Sequence, residues 1–322
     1  MIKDGAGPMG IDESLARPLQ ADYVRFNTYG RELTHFYEMC KYLHHPELYA
    51  VRRLWREAKK LGISHVGGVF YCYQRSAITP ELDLRQDVLI PTDVALNLTL
   101  NYDGWILSKA RDLARTHNSP PWSFGATSKL FTHEEASKIQ AHSQIGPLEE
   151  LLIKTGSNIP HTSHFLLFSD IDQKSLPREK FITLSNDANS ALWIGQTDRG
   201  YHLIFPHVFK RDEDLNRLEV RLAARLALKS EAIGLIPDLR NTLHAVEDCE
   251  IVIRVTPRNN NKPPFVSGVI DHDETIRVGP DADRADYFVQ MMVESVLERR
   301  DKLVDVKHLP SGVRQTTYQR EL

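Results

Sequence analysis

Two aspartates, Asp170 and Asp172, close an apolar run of strand length, His164 to Ser169 (HFLLFS). In a strand, residues i and i+2 point to the same face, so the two carboxylates stand side by side. Like charges so placed repel unless a cation lies between them. A hard divalent ion such as Mg²⁺ or Mn²⁺ suits oxygen ligands of this kind. The plainer reading of the pair is a turn, because Asp readily hydrogen-bonds local backbone amides. Two further segments add chemistry. Asp198-Arg199-Gly200-Tyr201-His202-Leu203-Ile204-Phe205 puts a His at the start of a strand, and Gly200 there lets backbone approach a ligand closely. The stretch from Arg254 to Lys262 carries Arg254, Arg258 and Lys262 and no acid, a local anion site.

This order resembles the catalytic module of the archaeo-eukaryotic primase superfamily, including its primase-polymerase branch. That family carries a DxD or DxE motif after a strand, then a motif ending in Gly-x-His on a strand. A third acid and an Arg-x-Pro-Gly-like segment follow. The counterparts are Asp170-Ile171-Asp172, Arg199-Gly200-Tyr201-His202 and Ile253-Arg254-Val255-Thr256-Pro257, with Lys262 beyond. The resemblance covers roughly residues 160–270. It implies a metal-dependent nucleotidyltransferase whose fold pairs an αβ unit with an RRM-like sheet. Asp170 and Asp172 then hold Mg²⁺ or Mn²⁺. His202 and the basic residues Arg199, Arg254, Arg258 and Lys262 bind the triphosphate, with Gly200 in the same motif. Asp238, just before Arg240, and Asp248, just before the strand EIVIRV, both qualify as the third acid; Asp238 is the better fit. The implied ligands are a nucleoside triphosphate and a DNA or RNA strand, with a helicase or second subunit as the kind of protein partner to expect. The sequence departs from the family in lacking a Ser ahead of the Gly-x-His and a Cys/His zinc cluster.

Two other readings compete. A DxD phosphatase of the haloacid-dehalogenase type uses the first Asp as nucleophile and the second as acid/base, but Gln173-Lys174-Ser175 follows here instead of Gly-Thr. A non-catalytic nucleic-acid-binding or scaffold protein of a mobile-element or defence system is the second. Asp271 and Asp273 form another DxD pair, and either pair reads as a turn. The P-loop, the dinucleotide-binding GxGxxG, the GxSxG elbow and HExxH are all missing.

These residues need elements to hold them. Leu48, Val51, Leu54, Trp55, Ala58 and Leu61 recur at helical spacing, which predicts an amphipathic helix over 47–61. Its basic side reads as a solvated face or a phosphate contact. A strand is expected over 65–73, with a bulge or close approach at Gly67-Gly68. The Pro pair marks 118–124 as a loop, and Thr132 with Glu135 has capping-box spacing for a helix over 133–140. Another short helix is expected over 147–154. Strands are expected at 164–169, 191–195, 200–205, 250–255 and 266–270, with helices at 215–228 and 287–303 and a polar tail from Pro310.

Alternating strands and helices argue for an α+β chain with a mixed or antiparallel sheet core. The expected division is a leader over 1–20, a mixed helical region over 21–155, the catalytic-like core over 156–280 and a C-terminal helix and tail over 281–322. The 322 residues carry a net charge of −3, which excludes a heavily basic nucleic-acid coat but permits a confined basic groove. Cys40, Cys72 and Cys249 lie far apart and suit a reducing compartment as ordinary thiols. The N-terminal residues lack a secretory h-region and no apolar run spans a bilayer, so the expected location is cytoplasmic.

Overall fold

In the computed structural model the described residues are 44–74, 81–143, 162–174, 177–188, 190–210, 218–238, 241–242, 244–245, 250–257, 262–270, 290–292, 294–295, 297–298 and 301–319. Among them the chain runs α1 (Glu47–Lys60), β1 (His65–Gln74), β2 (Glu81–Pro91), α2 (Thr92–Ala95), α3 (Trp105–Thr116), β3 (Ser123–Phe131) and α4 (His133–Ser143). It continues β4 (His164–Ile171), α5 (Arg178–Ala188), β5 (Leu192–Gln196), β6 (Tyr201–Lys210), α6 (Leu218–Ala232), β7 (Val252–Arg254), β8 (Phe265–Ile270), β9 (Leu303–His308) and β10 (Arg314–Tyr318).

The strands form a single sheet in the order β8-β5-β6-β4-β3-β1-β2-β10-β9, with β7 also paired to β3. Every pairing is antiparallel. The chain is thus α+β with a large antiparallel sheet. Strand pairing crosses the suggested boundaries at 155/156 and 280/281, since β3 pairs with β4 and β10 with β2, and the boundary at 20/21 lies outside the described residues. Residues 21–155, expected as a mixed helical region with one strand, supply three long strands among the described residues. The tail beyond Pro310 forms β10. Among the described residues no helix is long and apolar enough to cross a membrane.

Local chemistry explains the elements that position the site. In α1 the apolar stripe Leu48, Val51, Leu54, Trp55 and Ala58 is fully buried against the sheet. Burial of each of its larger side chains stabilises the packing by about 1.5–3 kcal/mol. Gly62 follows at φ +85°, a left-handed turn that ends the helix. The predicted bulge in β1 is present, as the register with β3 shifts between Val66 and Gly68. A Cβ at Gly67 would stand 2.2 Å from Thr127 Oγ1, and one at Gly68 would stand 2.7 Å from the Phe124 ring. The capping box forms: Thr132 N–H donates to Glu135 Oε2 (2.7 Å) and Glu135 N–H to Thr132 Oγ1 (3.3 Å). Cys72 is buried, and Cys40 and Cys249 lie outside the described residues. The helix expected over 147–154 also lies outside them, as does most of that over 287–303.

The sheet has one irregularity that matters. β4 pairs with β3 only at Lys129–Phe165 and Leu130–His164. Beyond that point β7 takes up the edge of β3, through Gly125–Arg254, Ala126–Ile253 and Thr127–Val252, while packing against β4. Arg254 therefore arrives near the end of β4.

Candidate active site

The site is built on the ends of β4 and β6. Asp170 on β4 and His202 on β6 are directly opposed, as are Ile171 and Tyr201. Neighbours along a strand face opposite ways. Tyr201 accordingly meets Phe181 of α5, ring centroids 5.2 Å apart, on one side of the sheet. His202 and Asp170 share the other side, where α1 packs. His202 Nε2 lies 3.8 Å from Asp170 Oδ2. That is beyond hydrogen-bond range but close enough for strong electrostatic coupling.

Asp238 is brought in by backbone pairing. Asp238 N–H donates to Asp170 O (2.7 Å), Asp172 N–H donates to Ile236 O (2.9 Å), and Ile171 bridges Pro237. The segment 236–238 is thus laid along the end of β4 as a short added strand, with Asp238 beside Asp170. Asp238 also caps the turn that follows, accepting the Asn241 N–H at Oδ1 (3.2 Å). Asp248 falls outside the described residues.

Electrostatics bear out the crowding. Burial is the main cause that pushes Asp170 up to about 6, and the carboxylates of Asp238, Asp172 and Glu47 add to it against the attraction of His202. For His202, desolvation opposes the charged form, but Glu47 and Asp170 outweigh it and hold the imidazole above its ordinary value, with Arg254 acting the other way. Asp170, Asp172, Asp238, His202 and Arg254 therefore lie within one electrostatic neighbourhood.

The basic residues are less concentrated. Arg254 is half-buried, and its Nη1 donates to Thr256 O (2.6 Å), which fixes the guanidinium. Arg199 is exposed and lines a surface pocket with Asp172, Lys174 and Asp198. Lys262 is exposed ahead of β8, and Arg258 lies outside the described residues, as do Asp271 and Asp273. Gly200 makes a close approach of a different kind from the one its position suggested. It is buried, and a Cβ there would stand 1.7 Å from Ile171 O. Its role in the structure is to let β6 start against the end of β4.

Sequence reasoning missed Glu47. It is buried, and both its carboxylate oxygens lie 2.9 Å from His202 Nδ1. In the sequence it reads as an ordinary acid in a first helical turn. The cue that was available is its place on the apolar stripe of α1, one residue before Leu48.

Asp170, Asp172 and Asp238 offer carboxylate oxygens, the donor type a hard cation takes. As placed, no three His, Cys, Asp or Glu side chains among the described residues converge on one ligation point. No protein-family model, no curated protein and no solved structure matches the chain.

Proposed function

We propose that this protein is a metal-dependent nucleotidyltransferase of the primase-polymerase kind, joining nucleoside triphosphates to a nucleic-acid strand. The observation that carries the reading is the direct cross-strand opposition of Asp170 and His202, with Asp238 hydrogen-bonded to the backbone of Asp170.

In this reading Asp170, Asp172 and Asp238 hold Mg²⁺ or Mn²⁺. The ions supply neutralisation of charge at the attacking hydroxyl and the leaving pyrophosphate. His202, whose pKa its two carboxylate neighbours raise against the effect of burial, donates from Nε2 to a phosphate oxygen. Arg254, fixed by its bond to Thr256 O, offsets triphosphate charge from the β7 side. Arg199 contributes from the surface pocket it shares with Asp172, and the sequence pattern adds Lys262 and Arg258. With no positive excess over the whole chain, the strand is held by local basic residues and not by bulk charge.

The test is Mn²⁺-dependent incorporation of labelled nucleotides onto primed and unprimed templates. Incorporation that disappears with Asp170→Ala plus Asp172→Ala supports the reading. No incorporation, with oligonucleotide binding that survives the double substitution, points to the non-catalytic binder. Metal-dependent hydrolysis of a phosphate monoester without template points to the DxD phosphatase chemistry.

A further inference from the structure

Glu47 is fully buried, and a buried carboxylate is costly unless paired and hydrogen-bonded. Three distant parts of the chain are arranged around it. The backbone ahead of α1 is pinned to β8: His44 N–H donates to Val266 O (2.8 Å), Val266 N–H to His45 O (3.0 Å) and Glu47 N–H to Pro264 O (2.7 Å). Gly195 on β5 is directly opposed to His202. A Cβ at Gly195 would stand 2.2 Å from Glu47 Oε2, so any larger residue pushes the carboxylate away. His202 completes the arrangement by giving Nδ1 to both oxygens, at 2.9 Å each. The start of α1 also favours a negative charge at this position through the helix dipole.

Filling the same space with an apolar side chain would close the core without burying a charge. What the carboxylate adds is orientation. With Nδ1 held, the imidazole cannot turn about its ring axis, and Nε2 stays on the side of Asp170. We propose that Glu47 is the positioning residue of the site: it holds His202 by Nδ1 so that Nε2 is presented to a phosphate oxygen of the bound nucleotide. The identity of that ligand rests on the nucleotidyltransferase reading; the positioning of the ring does not.

The experiment combines binding with a direct view of the ring. Manganese-ATP affinity is measured for the parent, Glu47→Gln, Glu47→Ala, His202→Ala, Gly195→Ala and the Glu47→Ala/His202→Ala pair, each checked by its melting curve. Glu47→Ala is expected to weaken binding about tenfold, the scale of one hydrogen bond to a charged group. Glu47→Gln, which keeps an acceptor for Nδ1–H, is expected to stay within about threefold of the parent. In the His202→Ala background, loss of Glu47 is expected to cost nothing more. A full tenfold loss in that background, or parent-like binding by Glu47→Ala, overturns the proposal. Imidazole nitrogen spectra separate its failure from that of the nucleotide reading. If the parent binds no manganese-ATP, the nucleotidyltransferase reading falls. A slowly exchanging His202 Nδ1–H in the parent and Glu47→Gln, lost in Glu47→Ala and Gly195→Ala, then still sustains the positioning role. Spectra that do not change among these variants overturn it.

Discussion

His202 and Asp170 face one another across neighbouring antiparallel strands, Nε2 3.8 Å from Oδ2. The pair is held by main-chain hydrogen bonds of β4 and β6, not by a bond between the side chains. The backbone register is therefore independent of the charge on either residue, while the orientation of the His202 ring is set by Glu47 at Nδ1.

Asp170 is the first case. Its folded pKa, about 6, lies above the usual carboxylate value, with burial as the main cause. The folded state therefore binds the Asp170 proton more tightly than the unfolded chain, and ionisation costs stability as pH rises from about 4 through 6. By pH 8 that cost is at most about 3 kcal/mol. His202, whose folded pKa is also raised, contributes stability at low pH that is lost as pH climbs through its folded value. Asp170→Asn is expected to raise the melting temperature at pH 8 and to make little difference at pH 4. Denaturation of both proteins at the two values checks this; a variant that is less stable at pH 8 contradicts it.

Cation binding should carry the same signature. A carboxylate must lose its proton to ligate, so apparent affinity falls where Asp170 is protonated. Mn²⁺ affinity is expected to rise by up to about tenfold per pH unit below 6 and to level off above 7. Titration followed by electron paramagnetic resonance measures it. A flat profile between pH 5 and 7.5 removes Asp170 from the ligand set.

Arg254 offers a separable test of the triphosphate assignment. Its guanidinium is fixed by the Thr256 carbonyl, and it sits at the end of β7 near His202. Arg254→Ala is expected to raise the KM for nucleoside triphosphate by about 10–100-fold, the scale of charge-assisted hydrogen bonds. Arg254→Lys should restore only part of this, because Lys lacks the planar fork. An unchanged KM in steady-state incorporation assays places the triphosphate elsewhere.

Gly200 tests the scaffold. The Cβ of an Ala there would meet Ile171 O at 1.7 Å, which forces β4 and β6 apart at the site. Gly200→Ala is expected to cost about 1–3 kcal/mol or more of stability, and chemical denaturation reads the change directly. A substitution without effect would mean that the strand ends yield freely, and the site with them.

Much of this arrangement was legible in the sequence because it rests on short-range periodicity. The spacing of Asp170 and Asp172 followed an apolar run of strand length. His202 began another such run. The α1 stripe and the Thr132–Glu135 box carried their geometry in their spacing. Strands with mixed polarity carried no such signal. β10, Arg314–Tyr318 (RQTTY), read as a polar tail, and β2, Glu81–Pro91, is studded with charge. Their place in the sheet comes from pairing with β1 and with each other, a long-range effect that outweighs local propensity.

By itself, then, the sequence determined the chemical vocabulary of this protein: two paired carboxylates, a strand histidine and a basic segment after them. Tertiary structure decided which of these meet. The antiparallel register sets His202 opposite Asp170. The short pairing of 236–238 brings Asp238 beside Asp170. The break between β3 and β4 admits β7 with Arg254. Glu47, 155 residues before His202, reaches it only because α1 lies across the sheet and Gly195 leaves room. No local spacing encodes such contacts, because they arise from the packing of elements whose separation along the chain is unrelated to their separation in space.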